Sequence, residues 1–296
     1  MRALITGGKG FVGQWLSAHL KDRGDEVAVI DLETDVADAT AVGAVMADVR
    51  PQAVYHLAAM THVGDSWEHP SQVLRVNVLG TAEILAAARA LPEGPRVLVV
   101  SSAEVYGVVR TNQLPLDEDT ATLPASPYAA SKLAAEAVAL QAWRGYGQPV
   151  MVVRPFNHIG PGQSPNFFVP ALAKRIVEAR RTGDRSLPVG TLTTRRDFTD
   201  VRDVVGAYRL LIELGEPGGV YNVCSGRDVS MAEIAHDLLR LAGTDLELVT
   251  DPVLVRPVDV PVLRGDATRL RAATGWEPVI ALATTLADVL ASWEGD

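Results

Sequence analysis

Three glycines spaced three residues apart near the start of the chain constrain its fold more than any other feature. A short apolar run at 2–6 precedes them and predicts a buried parallel strand, and the apolar spacing at 15–20 predicts a helix after them. In such a unit the first glycine allows a tight turn, the second lets the main chain approach a pyrophosphate, and the third lets the helix pack onto the strand. Unpaired N–H groups at the helix start favour phosphate. The sequence therefore predicts a dinucleotide-binding turn formed by Gly7, Gly10, Phe11, Val12 and Gly13.

Four further apolar runs follow, and each ends in small or polar residues. They lie at 26–30, 53–57, 96–100 and 149–154. Strands that alternate with helical patterns are typical of βαβ units. We therefore expect an α/β fold with a Rossmann-type doubly wound parallel sheet and a smaller C-terminal mixed α/β lobe. Residues 1–155 are predicted to form an NAD(P)-binding domain that also receives later segments at about 190–225, and residues 156–296 are predicted to form most of a substrate lobe.

The composition excludes several classes of partner and site. A net charge of −9 argues against nucleic acid or an anionic membrane as the main partner. Cys224 is the one cysteine, so an intrachain disulfide is excluded and a Cys/His metal cluster is unsupported. The N-terminus has no charged-then-apolar signal layout, and no apolar run reaches the length of a membrane span. We therefore expect a cytoplasmic protein without a metal site.

Carboxylates after the second predicted strand bear on the choice of cofactor. Asp31 can accept hydrogen bonds from the adenosine ribose and would repel a 2′-phosphate, which favours NAD(H) over NADP(H). Lys9, a cation in the glycine loop, leaves NADP(H) possible. Asp35 and Val36 are expected to flank the adenine, although Asp35 could instead cap the next helix.

Small residues after the third predicted strand leave room for a cofactor. They are Leu57, Ala58 and Ala59. Asn77, in the helix beyond, would need a partner if it is buried, and we assign it to the same cofactor site. Pro155, after the fifth predicted strand, is assigned there as well.

A tyrosine and a lysine four residues apart carry the predicted chemistry. Tyr128 and Lys132 would lie one turn apart on the same face of a helix. A phenol titrates near ~10, and an ammonium held close to it would lower that pKa. Ser102 and Glu104 follow the fourth predicted strand, and ligands of open α/β sheets bind outside the carboxyl ends of the strands. All four side chains are candidates for a catalytic site.

These motifs, in this order, resemble those of extended short-chain dehydrogenases/reductases that act on nucleotide sugars. The resemblance covers nearly the whole chain. It implies that Ser102 hydrogen-bonds the reacting oxygen of the sugar and that Tyr128 exchanges its proton. It also implies that Lys132 holds the nicotinamide ribose and lowers the pKa of the tyrosine. A homodimer is implied as well, and the Ala-rich runs at 82–90 and 129–142 would allow close helix packing.

Four later segments resemble the GDP-mannose 4,6-dehydratase branch, and still more the GDP-6-deoxy-4-keto-mannose reductases. They lie at 154–165, 195–204, 220–226 and 256–261. A GDP-sugar carries two phosphates, which require cations. The candidate cations are Arg196, Arg256 and Lys174. The other candidates for the substrate site are Asn157 for the sugar or a phosphate, Phe167 and Val169 for the base, and Asp259 for a ribose hydroxyl or for orienting Arg256.

The predicted activity is NAD(P)H-dependent reduction of the C4 keto group of a GDP-4-keto-6-deoxyhexose, giving a product of the GDP-rhamnose type. A GDP-mannose 4,6-dehydratase would need a further acid and base, and Ala103 cannot supply either, although Glu104 could be a base. An NAD-dependent nucleotide-sugar 4-epimerase remains an alternative, because Asp31 fits its use of NAD. A dinucleotide-sensing scaffold would be expected to lack the tyrosine or the lysine, and both are present.

Overall fold

The structure is a computed structural model that describes residues 1–254 and 260–295. Its strands, in chain order, are β1 (Arg2–Thr6), β2 (Glu26–Ile30), β3 (Ala53–His56), β4 (Arg96–Val100), β5 (Val150–Pro155), β6 (Asn157–Ile159), β7 (Ser186–Val189), β8 (Arg195–Asp200), β9 (Val220–Val223), β10 (Asp228–Ser230), β11 (Glu247–Thr250) and β12 (Val262–Leu263). Its α-helices are α1 (Phe11–Asp22), α2 (Ala39–Val49), α3 (Val63–Glu68), α4 (Pro70–Leu74), α5 (Gly80–Ala90), α6 (Pro127–Tyr146), α7 (Phe168–Thr182), α8 (Val201–Leu214), α9 (Met231–Ala242), α10 (Thr268–Thr274) and α11 (Leu282–Glu294). A π-helical turn, Arg75–Leu79, connects α4 to α5.

Six strands form one sheet in the order β2-β1-β3-β4-β5-β9, and every pair in it is parallel. Both faces are covered, which is why these strands are nearly continuous apolar runs. Successive side chains point to opposite faces, so Ile5 packs with α1 and α8 whereas Leu4 packs with α2, α5 and α6. This doubly wound architecture confirms the predicted fold class. The third strand ends one residue earlier than predicted, and the fifth strand begins and ends one residue later than predicted.

The smaller lobe is built from elements that follow β5. Strand β8 pairs with β6, β10 and β12, and β7 pairs with β11. Helices α7, α9 and α11 bury apolar residues of this lobe, among them Ile176, Leu238 and Leu286. Strand β9 returns to the large sheet beside β5, so the chain passes between the two lobes more than once. The domain boundary at residue 155 stays a prediction.

Helix α6 begins where local sequence favours a helix start. The side chain of Ser126 caps it by accepting a hydrogen bond from Ala129 N at 3.1 Å, and Pro127 occupies the first turn. The helix ends at Gly147, which has φ +68°. These signals place Tyr128 in the first turn, next to the carboxyl end of the sheet. Of the helices in the described residues, none combines the length and apolarity that a membrane span requires.

Candidate active site

A cleft of about 880 Å³ opens at the carboxyl ends of the parallel strands. Most of the residues that the sequence assigned to a site lie in its wall. They are Gly7, Gly10, Phe11, Val12, Gly13, Asp31, Asp35, Val36, Leu57, Ala58, Ala59, Ser102, Glu104, Tyr128, Lys132, Pro155, Asn157 and Phe167. The cleft therefore brings together residues from six separate parts of the chain.

The glycine turn is packed so tightly that larger residues would not fit. Gly7 has φ +71°, and a Cβ built on it would lie 2.8 Å from the main-chain nitrogen of Ala58. A Cβ on Gly13 would lie 2.4 Å from the carbonyl oxygen of Gly7. A Cβ on Gly10 would lie 3.2 Å from that same oxygen and within 4 Å of no other atom. Gly10 also lines the cleft. The turn thus leaves its main chain open to a ligand, as a pyrophosphate cradle requires.

Carboxylates surround the end of the cleft beside β2. Asp31 accepts hydrogen bonds from Lys9 N at 2.8 Å and Leu32 N at 2.9 Å. Arg75 pairs with Asp35 at 2.5 Å, and this contact lowers the pKa of the Asp35 carboxyl. The alternative that Asp35 caps a helix is wrong, because the N-cap of α2 is Asp38. Together with the glycine turn, this end of the cleft fits a dinucleotide whose ribose hydroxyls donate to Asp31.

Ser102 and Tyr128 both line the cleft, and their side chains are close enough for the serine hydroxyl to influence the phenol. Burial raises the pKa of Tyr128 to about 12, the nearby side chain of Ser102 opposes that change, and the charge of Glu104 adds to it. Burial lowers the pKa of Lys132 to about 8, opposed by the charge of Glu136.

The expectation that Lys132 lowers the pKa of Tyr128 is therefore corrected. The ammonium of Lys132 donates to the carbonyl oxygen of Val100 at 2.7 Å, and burial of the phenol is the larger effect on the pKa of Tyr128. At neutral pH the phenol holds its proton, so it can serve as a proton donor.

Four of the assigned residues lie away from the wall of the cleft. The side chain of Asn77 is occupied by the main chain of Met60 and by Ser131. Val169 is buried in the core of the smaller lobe. Lys174 lies against Glu178 and over the ring of Trp293, and Arg196 donates to the carbonyl oxygen of Val260 at 2.7 Å. Their contacts with ligands stay predictions, and Arg256 and Asp259 lie outside the described residues.

The cleft also contains residues that the sequence analysis did not assign. His158 stacks on Phe11 with ring centroids 6.2 Å apart, and its Nδ1 lies 3.1 Å from the carbonyl oxygen of Phe156. Gln163 and Thr34 line the wall as well. His158 lies in the short strand β6, which follows the carboxyl end of β5, so the rule that placed Ser102 after β4 could have found it. In the two described stretches of chain, no group of three or more His, Cys, Asp or Glu residues could hold a metal ion.

Comparisons with known proteins agree with this geometry. The sequence model of the GDP-mannose 4,6 dehydratase family matches residues 30–289. GDP-6-deoxy-D-mannose reductase of Pseudomonas aeruginosa is 38% identical over 296 residues, which cover 99% of this chain and 97% of that protein. The structure of RMD from Pseudomonas aeruginosa complexed with NADPH has a TM-score of 0.91 at 38% identity, with 99% of each chain covered.

A third relative carries the other nicotinamide cofactor. The UDP-glucose 4-epimerase of Thermus thermophilus in complex with NAD has a TM-score of 0.89 at 28% identity, covering 100% of this chain and 99% of that one. A nicotinamide dinucleotide is thus bound in both of these solved relatives. The chain belongs to the GDP-mannose 4,6-dehydratase family, within the extended short-chain dehydrogenases/reductases, which are NAD(P)-dependent enzymes of nucleotide sugars.

Proposed function

We propose that the protein reduces the C4 keto group of a GDP-4-keto-6-deoxyhexose with NAD(P)H and so forms a GDP-6-deoxyhexose of the GDP-rhamnose type. The observation that carries the proposal is that Ser102, Tyr128 and Lys132 line the same cleft as the glycine turn. The similarity to a GDP-6-deoxy-D-mannose reductase supports the choice of substrate.

Each residue of the catalytic site has its own role in this reduction. A bound nicotinamide supplies the hydride. Ser102 donates a hydrogen bond to the carbonyl oxygen of the sugar, and the new C–H bond at C4 moves the C=O electron pair onto that oxygen. Tyr128 then gives its proton to the oxygen, and solvent reprotonates the phenolate. Lys132, whose ammonium is fixed on Val100, acts as a cation beside the cofactor and holds the nicotinamide ribose.

The environment of Tyr128 favours reduction over dehydration. A 4,6-dehydratase must also remove a proton from C5 and protonate the departing C6 hydroxyl. Ala103 lines the cleft beside Ser102, and its methyl group can do neither. Glu104 lies in the same wall and supports the dehydratase as the second candidate, because a carboxylate there could act as the base.

Product analysis distinguishes the candidate activities. The protein is incubated with GDP-4-keto-6-deoxymannose and either NADH or NADPH, and separately with GDP-mannose and NAD(P)⁺. We expect consumption of the reduced cofactor together with a GDP-6-deoxyhexose. Release of the keto sugar from GDP-mannose, without oxidation of NADH or NADPH, would identify a dehydratase instead. Interconversion of two C4 epimers without net cofactor use would identify an epimerase.

We propose NAD(H) as the preferred cofactor. Asp31 would repel a 2′-phosphate, and Lys9, the nearest cation of the glycine loop, is paired with Glu33 at 2.9 Å. NADP(H) remains the alternative because a similar protein binds NADPH. The ratio of kcat/KM for NADH to that for NADPH tests the preference. A ratio above one supports it, and a ratio below one contradicts it.

For the substrate we propose that Asn157 and Phe167, both in the wall of the cleft, contact the sugar or phosphate and the base. The arginines at 196 and 256 remain the proposed partners of the two phosphates. Binding of GDP, measured by calorimetry, should weaken in the variants Arg196→Met and Arg256→Met. Unchanged affinity for GDP in both variants would show that the two phosphates bind elsewhere.

We also propose a cytoplasmic homodimer. The outer faces of α5 and α6 are rich in alanine, and apolar side chains next to them are exposed, among them Leu79, Trp143 and Tyr146. A single buried cysteine suits a reducing compartment. Sedimentation equilibrium should give twice the mass of one chain, and Ala137→Glu, on the exposed side of α6, should shift it toward the mass of one chain. A monomer in the wild type would contradict the proposal.

A further inference from the structure

Three successive residues, the last of β4 and the two that follow it, contact three successive turns of α6. The partners on the helix are spaced four residues apart, so they share one face. We call these three contacts the strand–helix ladder. They are the hydrogen bond from Lys132 Nζ to Val100 O at 2.7 Å, the hydrogen bond from Ser101 Oγ to Glu136 Oε1 at 2.5 Å, and the approach of the Ser102 side chain to that of Tyr128. The first and third contacts involve residues of the proposed reaction, and the second fixes Glu136.

Glu136 is a buried carboxylate whose side chain is only 2% exposed. Besides Ser101, it receives both arms of Arg154, with Nε to Oε1 at 3.0 Å and Nη2 to Oε2 at 2.8 Å. Arg154 also donates to the hydroxyl of Tyr106 and to the carbonyl oxygen of Glu118, both at 3.2 Å. The carboxylate is therefore held in one geometry by Ser101, which directly follows β4, and by Arg154 of β5.

A buried ion pair of this kind calls for an explanation beyond stability. The loss of hydration of two charges cancels much of their attraction, and apolar residues of similar volume are often as stabilising. Glu136 lies one turn beyond Lys132 and two turns beyond Tyr128 on the same face of α6. A contact that fixes Glu136 therefore also fixes the rotation of α6, and with it the orientation of Tyr128 and Lys132 toward the cleft.

We propose that Glu136, fixed by Ser101 and Arg154, is a positioning residue that sets the rotation of α6 for Tyr128 and Lys132 and keeps Lys132 an ammonium. The inference rests on the proposed function, in which Lys132 acts as a cation beside the cofactor. Burial lowers the pKa of Lys132 to about 8, and the negative charge of Glu136 opposes that change. Without this charge, the ammonium would lose its proton nearer to neutral pH.

Two other titratable groups bear on Lys132. Burial, assisted by the charge of Lys132, lowers the pKa of His56 to about 3, so the imidazole is neutral wherever the enzyme is folded and active. Tyr128 keeps its proton up to a pKa of about 12. The negative charge of Glu136 is thus what keeps Lys132 protonated near neutral pH.

The test compares Glu136→Gln, which keeps the shape and removes the charge, with a control at the other end of the sheet. Asp25 is also a buried carboxylate, and it is held by the N-terminal ammonium at 2.6 Å and by Arg209 at 3.1 Å. Asp25→Asn therefore removes a similar ion pair far from the cleft. The affinity for NADH is measured by fluorescence between about pH 6 and pH 10, and the melting temperature is measured in parallel.

We expect wild-type affinity to fall on the alkaline side as Lys132 loses its proton. In Glu136→Gln this fall should begin roughly one pH unit lower, because an opposite charge close by typically changes a pKa by about that much or more. Asp25→Asn should lower the melting temperature, but its affinity for NADH should fall at the same pH as that of the wild type. An unchanged pH profile in Glu136→Gln, or an equal change in Asp25→Asn, would overturn the proposal.

Ser101→Ala keeps the proposal testable even if Glu136→Gln does not fold. It removes one contact of the ladder and leaves the Glu136–Arg154 pair in place. We expect about fivefold weaker NADH binding, as loss of one hydrogen bond to a charged group implies, and kcat reduced more than KM is raised. Wild-type affinity in this variant would contradict the ladder. Binding of NADH requires no sugar, so a wild type that reduces no GDP-sugar would refute the proposed function alone.

Discussion

Asn77 holds both main-chain polar groups of Met60: its Oδ1 accepts from Met60 N at 2.8 Å, and its Nδ2 donates to Met60 O at 3.1 Å. The same Nδ2 donates to Ser131 Oγ at 2.9 Å, and Ser131 in turn donates to the carbonyl oxygen of Tyr128 at 2.7 Å. Asn77 lies in the π-helical turn, a feature that is frequent at functional sites. One amide thus connects the wall of the cleft to the helix that carries Tyr128.

Asn77→Asp tests this connection. The variant keeps the oxygen that accepts from Met60 and loses the two donated hydrogen bonds, so it leaves a buried carboxylate without donors of its own. We expect a loss of about 2–4 kcal/mol in the free energy of unfolding, measured with urea, together with weaker NADH binding. The matched control is Asn112→Asp, at an exposed position of the 3₁₀ turn Thr111–Gln113, which should stay within about 0.5 kcal/mol of the wild type. Equal stability of the two variants would contradict this role of Asn77.

Gly7→Ala tests the tight turn of the cofactor site. The new Cβ would lie 2.8 Å from Ala58 N, whereas a Cβ on Gly24, at φ +79°, meets nothing within 4 Å. Both substitutions carry a left-handed backbone penalty of roughly 1–2 kcal/mol. Gly7→Ala should in addition displace the wall at Ala58 and weaken NADH binding at least about tenfold. If Gly24→Ala weakens NADH binding by as much, the close approach at Gly7 has no special role.

Tyr128→Phe removes the proposed proton donor and keeps the ring. We expect turnover of the keto sugar to fall by about 10²–10⁴-fold, with the affinity for NADH changed little. The control is Tyr146→Phe, at an exposed position at the end of the same helix, which should keep full turnover. Full turnover in Tyr128→Phe would show that another group supplies the proton.

The buried His56 predicts a loss of stability in acid. Burial lowers its folded-state pKa to about 3, while the unfolded chain has the ordinary value of 6.5, so between these values the unfolded state binds more protons. The contribution is therefore present above pH 6.5 and is lost as the pH falls toward 3. At about pH 5 the loss is roughly 2 kcal/mol. His56→Gln should flatten the dependence of the free energy of unfolding on pH in this window, and an unchanged slope would contradict the assignment.

Local sequence was sufficient for the parts of the site that depend on strand ends and helical spacing. The positions of Gly7, Asp31 and Ser102 at the cleft follow from where strands stop, and Tyr128 and Lys132 follow from a spacing of four. These signals are short-range, so they can be found without knowing how the chain packs.

The remaining features depend on contacts between distant segments. The pairing of Glu136 with Arg154 requires β5 to lie behind α6, and no local pattern records that neighbour. The high pKa of Tyr128 reflects its burial, which exists only in the folded chain. Lys174 was assigned to the phosphates of the substrate by its charge alone. The packing of α7 against α11 instead places its side chain over the ring of Trp293.

Transfer of a labelled hydride tests the central claim most directly. The protein is given GDP-4-keto-6-deoxymannose and NADH or NADPH that carries deuterium at the transferable position of the nicotinamide, and the sugar product is analysed by NMR and mass spectrometry. The account predicts one deuterium per product molecule, bonded to C4, with equal amounts of cofactor oxidised and sugar reduced. A product without deuterium at C4, or a cofactor that keeps all its label while the sugar changes, would contradict it.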